Sequence, residues 1–242
     1  MIERHAKSRL INIFSAETFK KVDFLYCLAF VAVPLALAAF LGQIVPLSLE
    51  SIVFYAGMAV ASAAVIFIVR SLVSGIFDIK LSYKPWLPGL VFSAIATLLI
   101  SVIAGIPVPV PVMNASEYKR AVTLRGMKKG EIHNKDKWDA SMFSFLAILA
   151  FAQLFLAFGS ASRNAPLFYS GILLIMYVIV DMLPTRMFNG AFMIYHNYIF
   201  YFISAGFIML FLIMAYLDRA AGLFVFIVFL IVSLISYRVK LW

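Results

Sequence analysis

Gly105-Ile106-Pro107-Val108-Pro109-Val110-Pro111-Val112 is the stretch on which the fold turns. Each proline lacks an N–H and disfavours helix for the residue before it, so the run is extended and cannot be a central strand. Two readings stand: an edge strand or polyproline-like ribbon lining a groove, or a rigid connector. It closes an apolar segment, Pro85–Ile106, that Pro85, Pro88 and Gly89 open. A segment broken at both ends in this way is expected to enter the bilayer and return.

The surrounding chain gives that expectation its setting. Of 242 residues, 64% are apolar and 13% charged, and the mean hydropathy is +1.03, far above soluble domains. Seven segments approach the length of about 20 residues that a bilayer core demands: Phe24–Leu47, Ile52–Phe77, Pro85–Ile106, Ala140–Phe158, Leu167–Leu183, Tyr198–Leu217 and Ala220–Tyr237. The fold class expected is therefore an all-α polytopic membrane protein. Residues 1–23 form a basic cytoplasmic segment, and 24–242 a single membrane domain in which 114–139 is a polar cytoplasmic loop.

Charge decides how many segments cross. If all seven do, the cations outside the helices divide nine against ten between the two sides, which is no bias. If Pro85–Ile106 returns without crossing, the division becomes seventeen against two, with Arg70 inside a helix left out. The positive-inside rule selects the second arrangement: six transmembrane helices, one re-entrant helical segment, a short extended Pro/Val stretch and both termini cytoplasmic.

The net charge of +9 is the mark of that topology and not of nucleic-acid binding, since no basic run interleaves with exposed aromatics. Arg4, Lys7, Arg9, Lys20 and Lys21, with Leu10, Ile11, Phe14 and Phe19, read either as a short helix on anionic lipid or as a basic tail. Cys27, the only cysteine, excludes an intrachain disulfide and a cysteine-based zinc site. His5, His133 and His196 never stand three or four apart, and no placed nucleophile and base suggest serine hydrolysis. No metal or other cofactor is expected.

Asp181-Met182-Leu183-Pro184-Thr185-Arg186-Met187-Phe188-Asn189-Gly190 is the other informative stretch. Together with Pro85-Trp86-Leu87-Pro88-Gly89, the Gly105–Val112 run and a polar loop, in that order, it resembles the site-2 protease family of intramembrane zinc metalloproteases. The resemblance, to short prokaryotic members above all, covers roughly residues 52–200. It implies a prokaryotic plasma-membrane protein whose earlier helix would carry H-E-x-x-H and whose later helix would end in N-x-x-P-x-x-x-x-D-G.

Pro184 and Gly190 are spaced as in that second motif, but the chemistry is missing. Zinc proteases need two histidines one helical turn apart and a glutamate between them. The corresponding window Ile66-Phe67-Ile68-Val69-Arg70 has neither, and the aspartate that would be a third ligand is Asn189. Ile66, Phe67, Arg70 and Asn189 thus stand at former metal-site positions.

Arg70 and Asp181, charged residues within apolar helices, are expected either to pair in place of the metal or to reach water separately. Gln153 reads as an interhelical hydrogen-bonding group, and Gly57, Ala61 and Ala64 as a close-packing face. The methionines and phenylalanines read as core and lipid-facing filler.

The function expected is a catalytically inactive, protease-like scaffold or binding subunit. It would hold another membrane chain in a groove at Pro107, Pro109, Pro111, Pro184 and Gly190, with lipid and a membrane-protein complex as partners. A small transporter or channel-like protein with re-entrant elements is the alternative, followed by an active metalloprotease with unrecognised ligands.

Overall fold

The Pro/Val run lies antiparallel to the helix before it, and the packing of the two explains the sequence of both. In this computed structural model, which describes residues 21–42, 49–77, 79–82, 87–113, 117–120, 134–184, 188–217 and 219–239, helix α3 spans Leu87–Ala104. The chain reverses at Gly105, whose φ of +68° favours glycine. The N–H groups of Val108, Val110 and Val112 then donate to Ser101 Oγ (2.8 Å), Thr97 Oγ1 (3.0 Å) and Ser93 Oγ (2.6 Å).

The match is one of periods. Four residues of helix rise about 6.0 Å, and two extended residues advance about 6.2–6.6 Å. Hydroxyls spaced by four on α3 therefore meet amides spaced by two on the ribbon. The intervening prolines have no N–H to satisfy, so residues 107–112 carry no orphan amide into a buried, water-poor setting, where each would cost several kcal/mol.

Helices occupy all seven apolar segments. Besides α3 they are α1 (Lys21–Leu41), α2 (Leu49–Ile76), α4 (Asn134–Ala161), α5 (Ala165–Asp181), α7 (Tyr198–Leu217) and α8 (Arg219–Val239); a short helix α6 (Gly190–His196), of about two turns, precedes α7. Four contain spans long and apolar enough to cross a membrane: Asp23–Leu41, Glu50–Ile76, Lys137–Ala161 and Tyr198–Ala215. Pro88–Ala104, Ala165–Asp181 and Ala221–Ile235 are shorter apolar helices. The chain is an integral membrane protein built of helices.

Two elements depart from the sequence reading. A two-stranded antiparallel sheet pairs β1 (Ile79–Ser82) with β2 (Glu117–Arg120), in register Ile79 to Arg120 and Ser82 to Glu117. Both strands are only four residues long; Ile79–Ser82 alternates apolar and polar for too short a run to stand out, and Glu117–Arg120 is charged at three of its four positions. The sheet closes the excursion of α3 and the ribbon, because the chain that leaves at Ser82 returns to its side at Glu117. The second departure is α4, which begins at Asn134 and not Ala140, so Trp138 and Asp139 are buried helical residues and not part of a polar loop. The N-terminal segment 1–20 and loop residues 121–133 lie outside the described residues.

The ends of the helices sort into two groups. Phe77, just past α2, stacks on Phe143 of α4 at 5.9 Å, and Trp138 of α4 meets Phe200 of α7 edge-on at 5.3 Å. The start of α4, the end of α2 and the start of α7 therefore share one end of the bundle with β1.

At the other end α4 turns into α5 through Arg163, at φ +53°, and Asn164, whose Oδ1 accepts from Leu167 N–H at 3.1 Å. A side chain at Gly159 would lie 2.5 Å from Phe168 N, one at Gly171 2.7 Å from Leu156 Cγ, and one at Gly222 2.7 Å from Ala215 Cα. These glycines set the α4–α5 and α7–α8 contacts. Gly57, expected to do so for α2, has nothing within 4 Å of its would-be Cβ, because that face of α2 points out of the bundle.

Candidate functional site

Three elements bring polar groups to one buried point. Arg70 is on α2, six residues before its end. Asp181 closes α5, and Asn189 stands just before α6. Arg70 is 2% exposed, Asp181 3% and Asn189 fully buried, so water does not supply the partners that buried charges need.

They supply one another. Arg70 Nη1 lies 2.9 Å from Asp181 Oδ2 and also donates to the Tyr177 hydroxyl. Asn189 donates to the same carboxylate through its side chain (Nδ2 to Oδ2, 2.7 Å) and its backbone (N to Oδ1, 3.4 Å). One cation and one anion thus meet with two neutral groups, and the centre is balanced.

The loop that carries Asn189 is closed on itself. A Cβ at Gly190 would lie 1.9 Å from the Met182 carbonyl oxygen, so only glycine lets the chain pass. The Tyr201 hydroxyl, from α7, donates to that Met182 carbonyl at 2.8 Å, and Asn189 O accepts from Met193 N–H at 3.2 Å, starting α6. Leu183 and Pro184 are exposed and Phe188 is buried. Thr185, Arg186 and Met187 lie outside the described residues.

The arrangement bears directly on the residues singled out by sequence. Arg70 and Asp181 come together, and Arg70 does not extend to water. Ile66 and Phe67 are buried one turn from Arg70 and offer only hydrocarbon. In the stretch Asp181–Gly190 the acid stands first and the amide ninth, and it is the acid that Arg70 reaches.

The residues expected to line a groove, the prolines and Gly190, differ in exposure. Pro109, Pro111 and Gly190 are buried, Pro107 is half-buried, and only Pro184 is exposed. The prolines pack inward because the ribbon is held against α3. With the valine amides taken by hydroxyls, residues 107–112 have no N–H left to give a pairing strand.

Among the described residues, no three His, Cys, Asp or Glu side chains come together in a way that could hold a metal ion; His5 and His133 are outside that set. His196 sits with its ring 6.0 Å from that of Trp138. Cys27 is buried in the core. Gln153 is buried in α4, and its amide oxygen has no hydrogen-bond partner among the described residues.

Sequence reading passed over Tyr177, Tyr201 and the hydroxyls of α3. Tyr177 had a signal, since it precedes Asp181 by one helical turn on the same face. Ser93, Thr97 and Ser101 had one as well, in their spacing of four ahead of a Pro/Val alternation of two. Tyr201 had none, because its partner is a backbone carbonyl nineteen residues away.

Comparison of the chain with known protein families, with curated proteins and with solved structures finds no match.

Proposed function

We propose that this chain is a non-catalytic membrane protein, laid out like a site-2 protease, that serves as a scaffold or binding subunit for another membrane chain. One observation carries the reading: at the point where helices corresponding to the protease's would hold zinc, a guanidinium is neutralised by a carboxylate, and hydrocarbon stands where ligands and base would be. A metal there would have to displace a charge of its own sign, and the one carboxylate at that point is already held by Arg70 and Asn189.

In this proposal six helices cross, α1, α2, α4, α5, α7 and α8, while α3 and the ribbon enter and return. Both termini are cytoplasmic, as the loop cations favour. The site is filled, so a partner chain is held by outer surfaces and not by pairing with the ribbon. The apolar outer face of α3, with Val91, Phe92, Ile95, Leu99 and Val102 exposed, is the surface nearest the ribbon that such a chain would meet.

Metal analysis of the purified protein, with mild-detergent co-purification from native membranes, tests this. The expected result is no stoichiometric zinc and a stable membrane-protein partner. Stoichiometric zinc overturns it in favour of a metalloprotease. A lone chain that moves a solute in proteoliposomes overturns it in favour of a transporter, the reading to which the helix–ribbon hairpin also lends itself.

A further inference from the structure

We propose that the bend between α6 and α7 lies in the lipid headgroup layer, with Tyr195 and Tyr198 as its anchors. Tyr195, in the last turn of α6, is 86% exposed, and Tyr198, the first residue of α7, is 63% exposed. Tyrosine suits the boundary of a bilayer because its ring is apolar and its hydroxyl wants a polar neighbour. The place along the chain agrees: the apolar span of α7 begins at Tyr198, and the exposed side chains that follow, Ile199, Phe202 and Ile203, are purely apolar.

The backbone is built to turn there. Asn197 N–H donates to Met193 O at 3.1 Å and ends α6. Its Oδ1 accepts from Phe200 N–H at 3.0 Å and caps α7. The two helices thus meet at an extended residue, Asn197, with the amides of Asn197, Phe200 and Tyr201 satisfied there, and the tyrosines on either side are exposed.

This boundary fixes the depth of the charged centre. Tyr201 is three residues into α7 from Tyr198, about 4.5 Å along the helix, and its hydroxyl reaches the carbonyl of Met182, the residue after Asp181. Arg70 and Asp181 therefore lie close to this boundary, on the side of β1 and β2. An ion pair is less costly at that depth than at the bilayer midplane.

Nitroxides attached at Tyr195→Cys, Tyr198→Cys and Phe202→Cys in lipid bilayers test the assignment, with the unsubstituted protein reporting any labelling of buried Cys27. Collision rates with dissolved oxygen and with a water-soluble nickel chelate are measured. The expected result is comparable access of both at 195 and 198, and a several-fold shift towards oxygen at 202. Nickel access at 195 and 198 equal to that of a free aqueous label overturns it, as do an oxygen preference equal to that at 202 and exclusion of both reagents by a protein contact.

Should a cysteine variant fail to fold, Tyr195→Trp and Tyr198→Trp in lipids brominated near the ester or near the chain end give the second measurement. Stronger quenching by the shallow label supports the proposal, and equal, absent or deeper quenching overturns it.

Discussion

Arg70 is the residue on which the interior depends, because one of its nitrogens serves both Asp181 and Tyr177. Arg70→Met strands a buried carboxylate, and removing one partner of such a pair costs about 3–5 kcal/mol. Arg70→Met combined with Asp181→Leu leaves no charge at this centre and orphans chiefly the Asn189 amide, a loss of about 1–3 kcal/mol. Thermal unfolding in detergent is expected to place the double variant above the single one. Asp181 and Asn189 allow a second test. Asp181→Asn leaves Arg70 without an anion, and Asn189→Asp sets two carboxylates side by side. Both together restore one of each, so the pair should show a favourable coupling of about 0.5–3 kcal/mol in a double-variant cycle. The two charges were legible in sequence because ionisable groups are rare in apolar helices. That Asn189 donates to the acid was not, since an amide's role depends on what the fold places before it.

At the scale of elements, α3 and the ribbon form one unit whose periods agree. Thr97→Val removes the acceptor for Val110 N–H, and a buried orphan amide costs about 1–3 kcal/mol. Val110→Pro in the same chain removes the donor as well and is expected to recover much of that loss, since deleting both partners can be nearly neutral. Unfolding temperatures of the single and double variants check this; a double variant less stable than Thr97→Val alone would show that the valine amide is not what Thr97 serves. The extended state of residues 107–112 was legible, because three prolines forbid anything else. The hydroxyl ladder was missed although its spacing was on view, for a helix and its ribbon have to be laid side by side before four and two become commensurate. The sheet escaped for a different reason: Ile79–Ser82 and Glu117–Arg120 are held by a contact between distant segments, the first alternates over only four residues, and the second is charged at three of four. Likewise α4 starts inside a polar run because Trp138 finds Phe200 and His196 to pack against.

At the scale of the whole molecule, apolar length and loop charge located the helices, and four of them are long and apolar enough to cross by themselves. How the remaining apolar helices are disposed depends on the sheet. The pairing of β1 with β2 joins the chain before α3 to the chain after the ribbon. Helix α3, about 27 Å long at 18 residues, must then be undone by the ribbon's return, about 22 Å for residues 107–113 at a polyproline-like rise. On this closure rest the proposed count of six crossings and the proposed shared side of the termini. The most direct measurement labels cysteines introduced singly at Ser82 and Tyr118 in sealed, oriented membrane vesicles with a reagent that cannot permeate. Both positions are expected to react from the same side, the cytoplasmic one. Reaction of Ser82 from one side and Tyr118 from the other would mean that Leu87–Ala104 crosses the bilayer, and would contradict the account.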